Sequence, residues 1–133
     1  AVQGIAVRRM DHEDEPVLRP WVHRKWGSSW ATEACNGLRN SPVTTYVAVK
    51  DESLVGFATY DVMVLAGSFG PTGVEEAVRG LGLGKTLLFR CLGDMKQMGD
   101  RRCEIIWEGP IAYYAHTVGA RISSTFMHST KVL

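Results

Sequence analysis

Residues 78–89 read VRGLGLGKTLLF. Gly80, Gly82 and Gly84 alternate with Leu81 and Leu83, and Lys85, Thr86 and an apolar helical run follow. Alternating glycine leaves little side chain between the backbone and whatever lies beside it. A glycine turn that opens a helix is a ready anion site. The first helical N–H groups are unpaired, and the helix dipole adds partial positive charge there. Lys85 in the first turn faces the unfavourable end of that dipole, at a cost of about 0.3–1 kcal/mol, and a bound phosphate would reverse the sign. The chemistry to expect here is the binding of a phosphate-bearing ligand.

Three phosphate motifs compete for these residues. A P-loop needs a glycine five residues before Gly84, where Arg79 stands, and no apolar strand ending in Asp follows to hold magnesium. The dinucleotide fingerprint G-x-G-x-x-G fits Gly80 and Gly82 but finds Lys85 at its third glycine. The pattern R/Q-x-x-G-x-G/A fits without adjustment at Arg79, Gly82 and Gly84. With this motif the chain resembles the GNAT superfamily of N-acetyltransferases. Val74 stands five residues before Arg79, where that family ends its fourth strand. A helix of the expected length follows, then the strand CEIIW and a tyrosine-containing helix, AYYAHTVGARI.

The resemblance implies a coenzyme A-dependent N-acyltransferase. Backbone amides from Arg79 to Lys85, through Gly80, Leu81, Gly82, Leu83 and Gly84, would hold the pyrophosphate, with the Thr86 hydroxyl as an extra donor. Thr72 and Val74, on the fourth strand, would take the pantetheine arm in a gap beside the next strand. In the family a base deprotonates the ammonium and the amine attacks the thioester. A backbone N–H of strand four stabilises the oxyanion, and a tyrosine reprotonates the thiolate. The chain departs from the family at those catalytic places. Counted back from Gly119, Glu108 and Ala115 take the positions of the usual Asn and Tyr. A one-residue slip puts Tyr114 in the acid position, anchoring on Ala112 puts His116 there, and Tyr113 shares a face with His116. Tyr114 is the preferred acid. The usual strand-four Glu is missing, Ser68 and Thr72 are poor bases, and Glu108 is left as the candidate base or as a helix cap. Glu75 and Glu76 read as solvated, and His12, His23 and His128 have no partner at a telling spacing. Acceptor choice in the family comes from the helices after strand one, here bearing Trp21, His23, Trp26 and Trp30. Their helical spacing also fits plain core packing. The stretch FGPTG reads as a mobile loop over the site.

The elements that must position these residues follow from periodicity. Residues 4–10 are β-prone, and Asp11 or Asp14 can cap an amphipathic helix over 14–26. A second short helix, capped by Ser28 or Ser29, follows Gly27. Runs 44–49 and 54–65 flank the turn KDES as a hairpin. A glycine-rich stretch ending in a short β-prone segment leads to the glycine motif. The helix after it spans 82–98, with Leu83, Leu87, Leu88, Cys91, Leu92, Met95 and Met98 buried and Gly99 as its C-cap. CEIIW is a strand, Pro110 opens a helix, and 121–133 is a final strand. The expected fold is a GNAT-like α/β (α+β mixed) domain over residues 1–133. Its mostly antiparallel mixed sheet would split into a V between strands four and five and be flanked by helices, and a parallel crossover would span 70–107.

Composition narrows the function classes. The 133 residues carry a net charge of +1, which gives no global pull toward nucleic acid or an anionic membrane. No apolar run is long enough to span a bilayer, and the start lacks a signal peptide's apolar core. Cys35, Cys91 and Cys103 are odd in number with no CxxC, so no zinc site or disulfide framework is expected, and a reducing, cytoplasmic setting fits. The chain does not open on Met, which leaves a processed chain or part of a longer one open. The expected cofactor is acetyl-coenzyme A without metal, and the expected partner is a small-molecule or peptide amine, with a homodimer or second domain open. The alternative is a non-catalytic domain that binds coenzyme A or supports a neighbour.

Overall fold

A computed structural model describes residues 4–62, 67–99, 102–106, 121–124 and 128–132, the last three stretches by their backbone alone. After β1 (Ala6–Arg9) comes a 3-10 turn, His12–Asp14. The Asp11 carboxylate accepts from Glu13 N–H at 3.0 Å and the Asp14 carboxylate accepts from Asp11 N–H at 2.8 Å. This reciprocal cap satisfies the first orphan donors. Helix α1 (Glu15–Trp26) carries a proline in its first turn, where the missing N–H has no intrahelical partner to lose. Leu18, Trp21 and Val22 form its buried stripe.

Gly27, at φ 104°, separates α1 from α2 (Ser28–Asn36) and occupies the cap position expected of Ser28 or Ser29. That positive φ is where glycine is favoured, so the sharp turn between the helices selects it over a serine cap. A 3-10 turn, Gly37–Arg39, ends this segment and buries Leu38.

The hairpin forms as expected. Its strands are β2 (Thr45–Lys50) and β3 (Ser53–Tyr60). Asp51 and Glu52, at φ 51° and 64°, make the two-residue turn whose twist matches paired strands. β3 stops at Tyr60, short of the expected residue 65. Val55 is an extra residue between the pairs Ala48–Gly56 and Val49–Leu54. The bulge it makes puts both Val55 and Gly56 on one face.

β4 (Ser68–Val74) leads through a 3-10 turn, Glu76–Val78, to helix α3 (Leu83–Gln97) and then β5 (Arg102–Ile106). β4 and β5 run parallel, as expected of a strand–helix–strand unit. The other neighbouring strands described pair antiparallel, with β1 to β5 in chain order across the sheet. The single final strand expected over 121–133 is instead a pair, β6 (Arg121–Ser124) and β7 (His128–Val132), with β7 inserted between β5 and β6.

Two cores lie on opposite faces of the sheet. One joins Tyr46, Ala48, Ala58, Tyr60 and Phe69 to the α3 residues Leu83, Leu87, Leu88, Cys91, Leu92 and Met95. The other joins Val47 and Phe57 to Leu18, Trp21 and Val22 of α1 and Ala31, Ala34 and Cys35 of α2. The period-two alternation of β2 and β3 feeds both faces. Met98, expected on the buried face of α3, is 52% exposed because the helix has ended at Gln97. Gly99 follows at φ 95°, the left-handed conformation that terminates helices. Among the described residues no helix is long and apolar enough to cross a membrane.

Candidate functional site

The site is built on one edge of β4. Glu75 N–H donates to Val55 C=O at 2.8 Å. Strand alternation therefore turns the N–H and C=O groups of Thr72 and Val74 away from β3, toward β5. Among the described residues the β4–β5 ladder holds two pairs, Ser68–Glu104 and Phe69–Ile105. Gly70 and Pro71 face the single residue Thr59 across β3, a bulge just where that ladder stops. The stretch FGPTG, expected as a mobile loop, is thus strand, and its composition reflects the bulge.

Beyond β4 the chain turns at Gly80 and Gly82, with φ of 85° and 81°. Both values favour glycine, and a Cβ at either would meet nothing within 4 Å, so open space lies beside this backbone. Leu81 and Leu83 pack into the α3 core and tether the turn. Gly82 caps α3 without a side-chain bond, so the first helical N–H groups keep free donor capacity among the described residues. Thr86 donates its hydroxyl to Gly82 C=O at 3.1 Å. Lys85 lies over the Phe89 ring at 5.7 Å from its centroid, and Arg79 Nε donates to Val74 C=O at 3.3 Å.

A cleft of about 550 Å³ connects these parts. It is lined by Gly80, Gly82, Gly84 and Lys85 of the turn, by Thr72, Gly73 and Val74 of β4, and by Trp26. That volume suits a cofactor-sized ligand. Trp26 belongs to the α1/α2 core, the packing role its spacing fits, and also lines this cleft. Its ring stacks on Trp30 at 6.1 Å and meets Trp21 and Phe57 edge-on at 5.3 and 5.6 Å. His23 does not line this cleft and instead lines a groove with Arg19, Ser28 and Thr32.

Glu75 overturns its sequence reading as a solvated residue. Its carboxylate accepts from Trp21 Nε1 at 2.6 Å and pairs with Lys25 Nζ at 2.8 Å. The Lys25 bond first, and the Trp21 bond second, hold its pKa below the usual value. These bonds tie α1 to the end of β4, next to the glycine turn. Alternating sequence patterns carry no signal for such a long-range clamp. Glu76 does remain solvated, at 85% side-chain exposure. Glu108, Tyr113, Tyr114 and His116 lie outside the described residues, as does the helix expected from Pro110. Among the described residues no group of three His, Cys, Asp or Glu side chains could hold a metal.

A family model described as Acetyltransferase (GNAT) family matches residues 6–117. Among solved structures, the chain is similar to PaiA N-acetyltransferase from Thermoplasma acidophilum in complex with coenzyme A. That likeness has a TM-score of 0.72 and 18% identity over 97% of this chain and 99% of that one. It is also similar to the GNAT family N-acetyltransferase YhbS from Escherichia coli in complex with CoA, with a TM-score of 0.75, 19% identity, and 96% and 81% covered. A GNAT family acetyltransferase from Brucella melitensis in complex with acetyl-CoA matches at a TM-score of 0.68 and 20% identity, with 97% and 88% covered. No curated protein matches the sequence.

Proposed function

Because this chain belongs to the GNAT acetyltransferase family, we propose that it transfers an acetyl group from acetyl-coenzyme A to a primary amine of a small molecule or peptide. The observation that carries this reading is the cleft that joins the glycine turn to the outward edge of β4. The turn offers unpaired amides for a pyrophosphate at the helix N-terminus. The outward-facing backbone of Thr72 and the Val74 N–H offer the pantetheine arm the pairing that an added strand would give. For this, β4 and β5 diverge beyond Phe69, which the short ladder and the bulge support.

The chemistry assigned to this site is direct transfer. The free amine attacks the thioester carbonyl, an outward β4 amide stabilises the oxyanion, and the C–S bond breaks as the carbonyl reforms. We assign the proton taken from the ammonium to Glu108, directly or through water, and the proton delivered to the thiolate to Tyr114; the nitrogen releases its second proton to solvent as the amide forms, and solvent reprotonates Tyr114. Both assignments rest on the family resemblance of the sequence around Gly119.

Titration calorimetry with coenzyme A, acetyl-coenzyme A and ATP tests the cofactor. Binding of the first two and not the third is expected. Gly82→Asp and Gly84→Asp, which set bulk and negative charge at the turn, should abolish that binding, whereas Lys85→Ala should weaken it only slightly because backbone carries the contact. Unchanged affinity in a folded Gly82→Asp chain removes the site from this turn. A thiol-release assay over an amine panel tests transfer, and binding without release by any amine leaves a non-catalytic coenzyme A-binding domain.

A further inference from the structure

We infer that Trp26 is the acyl-length wall of the cleft, a specificity-determining residue that admits an acetyl group and turns away long acyl chains. The inference rests on the coenzyme A reading above and concerns the part of the cleft beside Gly73. With the phosphates at Gly80–Gly84 and the arm on β4, the thioester would come beside Gly73 and Thr72, which line the same cleft. The cleft is lined both by Leu83 and Leu88 of the α3 core and by Trp26 of the α1/α2 core, and the Trp26 ring lies against Gly73.

Two observations make this wall specific. A Cβ at Gly73 would lie 2.6 Å from Trp26 Cζ2 and 2.7 Å from Cη2, so the six-membered ring of the indole rests directly over the Gly73 backbone. Gly73 is not at positive φ, so space and not conformation is what glycine provides here. The ring is also held from three sides, by Trp21, Phe57 and Trp30, and Trp21 is itself bonded to Glu75. A side chain fixed in this way does not swing aside at low cost, and close-packed surroundings reject added methylenes.

Calorimetric affinities for coenzyme A, acetyl-coenzyme A and octanoyl-coenzyme A test the wall in the wild type, Trp26→Ala and Trp26→Phe. The wild type should bind the octanoyl thioester at least about tenfold more weakly than the acetyl thioester. Trp26→Ala should bring the two within about twofold, and Trp26→Phe should fall between. Should the alanine chain fail to fold, the phenylalanine chain, which keeps a ring in the aromatic cluster, carries the comparison. An octanoyl-to-acetyl ratio unchanged in the folded variants, or a wild type indifferent to chain length, overturns the wall and leaves the cofactor reading standing. A wild type that does not bind coenzyme A at all overturns both.

Discussion

Glu75 shows what a single residue contributes at the border between cofactor turn and aromatic wall. Its pKa is lowered by Lys25 and then by Trp21. A carboxylate depressed in the folded state adds stability above its unfolded pKa, near 4.3, and loses it as pH falls through the folded value. The pair is partly exposed, at 34% and 24% of the side chains, so its contribution at neutral pH is at most about 1 kcal/mol. Glu75→Gln should lower Tm at pH 7 by a few degrees and flatten the acid limb of a Tm-against-pH curve below about pH 5. An acid limb identical to the wild type would show that the clamp adds nothing. Tyr114 is the other residue whose role can be decided by one substitution. If it donates the last proton, Tyr114→Phe should cut kcat about 10²–10⁴-fold while acetyl-coenzyme A affinity holds. A wild-type kcat in that variant would move the role elsewhere, with His116 the next to replace. At this scale the sequence is legible where a residue's reason is local. Gly80 and Gly82 announce their positive φ through the motif, whereas Gly73 is required by an indole from a distant helix and Glu75 by a distant lysine, and nothing in their neighbours' types says so.

Helix α3 positions the turn, and it is fastened at both ends. At its start Leu83 and Leu87 approach Gly56 of β3, where a Cβ would lie 3.2 Å from Leu87 Cδ1 and 3.4 Å from Leu83 Cδ2. Toward its end the Asp94 carboxylate accepts from Tyr46 at 2.8 Å and from Tyr60 at 3.0 Å, and it pairs with Arg9 at 2.8 Å. Three strands are thereby bound to one helical carboxylate. Asp94→Ala would take from two buried phenols the carboxylate they donate to, leaving Tyr60 only the weak Met98 Sδ contact at 3.8 Å, a cost of about 2–4 kcal/mol that urea unfolding would read directly. The same bonds set an alkaline limit. Burial first, and Asp94 second, push Tyr46 up to about 12 and Tyr60 further still. An unfolded tyrosine ionises near 10. The folded state therefore holds protons that the unfolded state has lost, and stability falls as pH rises above about 10. Elements with long periodic patterns, α1 and α3, and the hairpin with its two-residue turn were readable from the sequence. β4 is legible only in part, as a short β-prone segment ending at Val74, because a bulge filled by Gly70 and Pro71 has the composition of a loop. The β6–β7 pair was read as one strand because the polar residues of the run 121–133 contain no glycine or proline to mark a break.

On the scale of the whole molecule, β1 to β4 form an antiparallel half that joins β5, among the described residues, through the two pairs Ser68–Glu104 and Phe69–Ile105. The outward groups of Thr72, the outward Val74 N–H and, among the described residues, the free amides at the start of α3 are the backbone that a ligand can complete. That arrangement makes a prediction about where binding energy is felt. Coenzyme A at 100 times its Kd should stabilise the native state by about 2.7 kcal/mol, seen as a higher Tm at every probe. Amides that exchange through global unfolding, such as those of β2 and β3, should slow by that common factor of about 10². The amides of Thr72, Val74 and residues 80–85 exchange through local exposure in the free protein, and they should gain protection of their own when the ligand covers them. Hydrogen exchange read residue by residue separates the two effects. Uniform slowing with no excess at β4 and the turn would mean that the ligand binds elsewhere, and the cleft would lose its assignment even if affinity and transfer were both measured.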